Sequence, residues 1–180
     1  LREVADVDVR VHAIDLAQRG RVEELAARAP DVDILVNNAG SIPRGSIEEI
    51  DEDTWRQAWD LKVFGYINMC RAYYRTMKAR RSGVIINIIG MGAEKLDYSY
   101  AAGSTGNAAL AAFTRTVGSM SLDHGVRVLG VNVGTVDSIT PRKGDVKVVL
   151  RVDKDVDIPA DAKAVIVAQS LVTGRFVQLT

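Results

Sequence analysis

The sequence predicts an α/β fold, a doubly wound parallel sheet that gives way near its end to a small all-β segment. Three observations carry this. Apolar runs with strand character alternate with helix-period segments through residue 131, the rhythm of a parallel sheet with helical crossovers. One of those runs, Val84–Ile89 (VIINII), reads as apolar throughout, as a strand covered on both faces must be. After Gly134 the helix-period pattern stops, and short β-prone runs separated by Pro, Gly and Asp take its place.

In chain order, Val7–Ile14 alternates apolar and polar residues and predicts a strand, with a short helix following over Val22–Ala29. Val32–Val36 predicts a strand that ends in Asn37-Asn38-Ala39-Gly40. Asp53–Arg80 predicts a long helix, because Trp55, Trp59, Val63, Tyr66, Cys70, Tyr73 and Met77 recur every three or four residues. Asp51 or Asp53 is placed to cap it. A second helix is predicted over Tyr100–Met120, small on one side and apolar through Leu110, Phe113 and Val117, then a strand over Val126–Val131. Beyond it, Val146–Val152, Ala164–Ala168 and Phe176–Leu179 read as short strands. The change of texture puts a boundary at 126–136 and divides the chain into 1–130 and 131–180.

Composition excludes several classes of function. Lys plus Arg and Asp plus Glu each total 23, so a formal charge of zero gives no electrostatic reason to bind nucleic acid or an anionic membrane. No apolar run approaches the ~20 residues of a membrane span. The single cysteine, Cys70, cannot form an internal disulfide and suits a reducing compartment. His12, His124 and Cys70 show no metal-ligand spacing. Arg2-Glu3-Val4 after Leu1 has no signal-peptide pattern, and the start reads as a chain entered partway.

Asn37-Asn38-Ala39-Gly40 is the most informative segment. Asn side chains can bond free backbone groups where a strand ends, Ala and Gly admit a close approach, and ligands of open α/β sheets sit at such carboxyl ends. Asp15-Leu16, DILVNNAG, a long helix, VIINI and then a Tyr in the next helix appear in the order of a short-chain dehydrogenase/reductase, which residues 1 to about 132 resemble. The resemblance implies an incomplete Rossmann-like sheet, NAD or NADP as cofactor, a small-molecule alcohol or ketone as substrate, a cytoplasmic location and homo-oligomers formed through the two long helices. It implies that Asp15, Leu16, Asn38, Ala39 and Gly40 lie along the adenosine part of the cofactor, and that Tyr100 and Ser104 lie at the nicotinamide ribose.

The family's Tyr-x-x-x-Lys falls on Tyr100-Ala101-Ala102-Gly103-Ser104. Four-residue spacing puts both side chains on one helix face, where Tyr would move a proton and Lys would lower the phenol's pKa from ~10. Ser104 can orient a hydroxyl but carries no charge. The family's Ser falls near Ile89-Gly90 and its helix Asn on Lys62. Of the four catalytic positions only Tyr100 keeps its residue. Lys62 is read either as a solvated helix lysine, the favoured reading, or as a relocated positive charge near Tyr100; Tyr98 reads as an exposed loop residue. Without a nearby cation Tyr100 is expected to titrate near ~10. Gly103-Ser104-Thr105-Gly106 reads as a close-packing segment rather than a phosphate loop. The family's glycine-rich phosphate loop and central strand find no counterpart, so sheet edges are expected to be exposed, cofactor binding weak and the purified chain aggregated.

From Val133 onward the wording (VGTVDSITP, then VKVVLRVDKDVDIPADAKAVIVAQSLVTGRFVQLT) resembles the MCE domain, a lipid-transport module of bacterial envelope complexes. That resemblance implies part of a small β-barrel and an alternative function in lipid transport, or an inactive hybrid of the two.

Overall fold

A computed structural model describes residues 10–133, 136–142, 145–150 and 164–167 of the chain, with side-chain surroundings for residues 10–131. Helix α1 is Arg21–Arg28 and strand β1 is Ile34–Asn37. Helices α2, Glu52–Trp59, and α3, Gly65–Arg80, are joined without a break by a π-helical turn, Asp60–Phe64. Strand β2 is Gly83–Gly90, α4 is Ala101–Ser121 and β3 is Val126–Val133. Strands β4, Val136–Arg142, and β5, Asp145–Leu150, form an antiparallel pair, and β6 is Ala164–Val167.

The helices begin and end where local chemistry directs. Asp51 caps α2, its carboxylate accepting from the Thr54 amide at 2.8 Å. Arg81 closes α3 in a left-handed conformation at φ 55°, and Gly125 turns the chain into β3 at φ 70°. An alanine there would bring its Cβ to 2.4 Å from the Arg81 carbonyl oxygen, so the turn requires glycine.

The main sheet is parallel with order β3-β2-β1-β6. Helix α3 packs on β1, β2 and β3, and α4 on β2 and β3. Leu35, Ile85, Met69, Tyr73 and Met77 fill the larger core with Leu16, Val22 and Leu25 from the segment before β1. Val63, Tyr66, Ile89 and Leu110 form a second cluster where the π-turn meets β2 and α4.

Two expectations are corrected. Residues 10–14 form no strand, and residues 7–9 lie outside the described residues. A strand needs a ladder partner, and the edge of β1 opposite β2 is already taken by β6, paired from Ile34↔Ala164 to Asn37↔Val167. For the same reason Ala164–Val167 is no part of a separate all-β segment: it completes the parallel sheet and covers the edge expected to lie open. The strand read over Phe176–Leu179 lies outside the described residues.

Candidate active site

The loop after β1, the turn after β2 and the start of α4 meet at Tyr100. Tyr100 is the residue before α4, at φ −143° and ψ 40°, and its carbonyl accepts the Ser104 amide at 2.8 Å. Its ring lies back over the first helical turn: a Cβ on Gly103 would stand 2.0 Å from Tyr100 Cζ, and one on Gly92 would stand 3.4 Å from Cδ1. The phenol therefore covers Gly103 rather than standing beside Ser104. Burial raises the Tyr100 pKa above its ordinary value, with the Arg44 guanidinium acting the other way.

Ser104 is buried, and its Oγ has no hydrogen-bond partner. A buried hydroxyl without a partner is uncommon in native folds and marks a place where a ligand hydroxyl or water can bond. The start of α4 is fixed by two side chains that sequence reasoning missed or used otherwise. Asn107 accepts from the Gly90 amide at 2.9 Å and donates to the Gly103 carbonyl at 2.9 Å, tying β2 to the helix. Trp59 donates from Nε1 to the Ala102 carbonyl at 3.0 Å. Gly106 fits under Trp59, Val63 and Ile42, so Gly103-Ser104-Thr105-Gly106 is a close-packing segment.

Lys62 is not a solvated lysine. Its stem crosses Gly40, where a Cβ would meet Lys62 Cδ at 2.3 Å. Its Nζ donates to Tyr66 Oη at 2.8 Å and to the Ile88 carbonyl at 3.0 Å, and lies 4.4 Å from the Tyr66 ring centroid. Burial lowers its pKa to about 8. Tyr100 is not among these partners. Tyr98 is exposed, as read.

At the other end of the site, Asp15 is exposed and folds an Asx-type turn, accepting from the Ala17 amide at 3.0 Å. Leu16 and Ala39 are buried in the core, while Asn38 and Gly40 are exposed at the end of β1. The side chain of Leu16 is thus committed to packing. Asn37 bonds side chains rather than free backbone: its Nδ2 donates to Asn87 Oδ1 at 2.8 Å, and Asn87 donates to Thr114 Oγ1 at 2.9 Å. Cys70 borders this chain, and burial pushes its thiol up to about 12. Asn87, a polar residue within the apolar VIINII, was the one sequence signal for this network. Among the described residues no cluster of His, Cys, Asp or Glu could hold a metal, and no helix is long and apolar enough to cross a membrane.

A parallel α/β sheet with a Tyr at its carboxyl edge defines a class, and comparison with known proteins gives the family. The family model for short chain dehydrogenases matches residues 1–147, and the chain belongs to that family. It is 30% identical over 136 residues to "Dehydrogenase/reductase SDR family member 6" of Danio rerio, covering 75% of this chain and 56% of that protein. A solved "short chain dehydrogenase/reductase family protein" is 39% identical with TM-score 0.64, over 66% of this chain and 51% of that one. A gluconate 5-dehydrogenase from Burkholderia cenocepacia, solved with NADP and tartrate, is 29% identical with TM-score 0.60, over 64% and 47%. The chain spans about half the length of the relatives it matches. No comparison supports an MCE domain, and the family match runs past the boundary placed at 126–136.

Proposed function

We propose that the chain acts in NAD(P)-dependent hydride transfer between a nicotinamide and a small-molecule alcohol or ketone, with Tyr100 as the proton-transfer residue. The observation that carries this reading is the Tyr100 ring lying over Gly103 at the start of α4, in the same helical turn as a buried Ser104 hydroxyl that lacks a partner. An orphaned hydroxyl fits the ribose of a nicotinamide nucleotide, so the residues present suit that group. Tyr100 and Ser104 would hold the ribose, while exposed Asp15, Asn38 and Gly40, with the backbone of Leu16 and Ala39, would line the adenosine part. When bound, the nicotinamide supplies or accepts the hydride.

The chain's own residues decide the proton. In ketone reduction Tyr100 Oη gives its proton to the carbonyl oxygen; in alcohol oxidation the phenolate takes the hydroxyl proton back. Because burial raises the phenol's pKa, the neutral donor form dominates at pH 7. Reduction is therefore favoured near neutrality, and oxidation rises with pH as the phenolate fraction grows.

Assays of NAD(P)H oxidation with a panel of ketones test the reading. Tyr100→Phe is expected to lower turnover by about 10²-fold or more, the usual weight of a positioned acid. Turnover that is undetectable, or that survives Tyr100→Phe, would sink the proposal. Among the described residues no glycine-rich turn leads a strand into a helix N-terminus, so dinucleotide affinity of this chain is expected to be weaker than millimolar, less than ~4 kcal/mol. Micromolar affinity by calorimetry would point to a phosphate site outside these residues.

A further inference from the structure

Ser104 offers the Tyr100 phenol no positive charge from the first turn of α4, and Lys62 is bonded elsewhere. Another cation faces the ring. Arg44 lies in the loop that follows β1, and its Cζ is 5.7 Å from the Tyr100 ring centroid. The loop is fastened to the segment leading into α4. The Gly45 amide donates to the Ser99 carbonyl at 2.7 Å, the Ala101 amide donates to the Gly45 carbonyl at 3.4 Å, and Gly45 pairs with Tyr100 in a parallel bridge. Arg44 Nη2 donates to Ser99 Oγ at 2.9 Å and to the Asp97 carboxylate, so the guanidinium is held from the same segment.

We propose that Arg44 is a positioning residue that stabilises the Tyr100 phenolate, and that Asp97 limits this effect by pairing with the guanidinium. The inference rests on the oxidoreductase reading of the same site. A positive charge beside a phenol favours its ionised form, and of the influences on Tyr100 the Arg44 charge opposes the dominant effect of burial. Two glycines pack on the ring, Gly92 from the turn after β2 and Gly103 from α4. Arg44 takes the part that a helix lysine would play, from the loop after β1. Its side chain is 68% exposed and that of Asp97 42%, so solvent screens the interaction and the effect is modest.

The test is a pH titration of the full chain by carbon NMR at the tyrosine Cζ, with the Tyr100 signal assigned by its loss in Tyr100→Phe. Arg44→Gln should raise the midpoint, Arg44→Lys should hold it near the native value, and Asp97→Asn should lower it. Raising salt from about 0.05 to 1 M in the native chain should also raise the midpoint, since an exposed charge is screened. An unchanged midpoint in Arg44→Gln, or a rise in Asp97→Asn, overturns the proposal. If Arg44→Gln loses its fold by circular dichroism, the salt titration decides: no rise overturns it. None of these readouts needs turnover. A chain inactive toward every ketone that still shows the shifts loses the function and keeps the charge relation.

Discussion

Lys62 and Asn87 show how differently single residues can be read. In the sequence, Lys62 was one polar position on a long helix, with nothing to say whether it met solvent. The structure lays its stem over Gly40 and its ammonium against Tyr66 and the Ile88 carbonyl, a placement set by contacts from two other segments. Burial brings its pKa from 10.5 to about 8. The folded chain therefore releases this proton near pH 8, while the unfolded chain keeps it until about 10.5. Between those values the unfolded state binds more protons, so stability rises with pH across that window. Lys62→Met removes a partly desolvated charge and leaves Tyr66 Oη still donating to Ile88. It is expected to stabilise the chain by about 1–3 kcal/mol at pH 7, with the gain fading by pH 10.5. Urea melts at the two pH values check this; a constant difference would show that the charge is not the cause. Asn87→Leu should do the reverse. It strips Asn37 and Thr114 of buried partners and is expected to cost about 2–4 kcal/mol at any pH. A loss under 1 kcal/mol in the same melts would mean that Asn37 and Thr114 find other partners.

Elements were legible where their signals are local. The period of Trp55, Trp59, Val63, Tyr66, Cys70, Tyr73 and Met77 runs through the whole helical stretch, and Asp51 serves as its cap. The π-turn at Asp60–Phe64 was not legible, because a run of three- and four-residue spacings looks the same with one widened turn inside it. Helix α4 starts one residue later than its apolar pattern predicts. Tyr100 precedes the helix, and its ring therefore falls on Gly103 instead of sharing a face with Ser104. A residue's identity was readable there, but its direction depended on a backbone angle that no periodicity reveals. Gly103→Ala follows from this geometry. Alanine is the better helix former by about 1 kcal/mol, yet its Cβ would collide with the Tyr100 ring, which must swing away. Thermal stability should hold or rise while Tyr100-dependent turnover falls about 10²-fold, comparable to losing a positioned acid. Parallel losses of melting temperature and turnover would instead mean that the ring cannot move and the helix start is deformed. Arg44 had no sequence signal at all: its partners, Asp97 and Ser99, lie more than 50 positions away in the chain.

At the scale of the whole molecule, one pairing changes the expected behaviour. An exposed β1 edge would recruit other chains without fixed stoichiometry, which is why aggregation was expected from the sequence. In the structure all four residues of β1 pair on both sides, with β2 at Ile34↔Val84 and onward and with β6 at Ile34↔Ala164 and onward. The clue was present in Ala164–Val167 (AVIV), which lacks apolar–polar alternation and resembles the doubly covered runs ILV and VIINII. Pairing it with β1, some 130 residues away, requires knowing which sheet edge is free, and sequence alone does not show that. Aggregation is therefore expected to depend on β6. The full chain should scatter light as a discrete species and bind little hydrophobic dye. Removing residues 151–180 should reopen the β1 edge, giving a broad size distribution and strong dye binding. Ile166→Pro tests the strand without shortening the chain, since proline is poorly tolerated within a sheet, and it should move both readouts the same way. The edge that β6 covers is short, and a small domain has only about 5–15 kcal/mol of stability, so even four lost residues of pairing weigh on the balance. If the shortened chain and Ile166→Pro both remain as discrete as the full chain, β6 contributes nothing to solubility, and the β1 edge is protected by some other part of the fold.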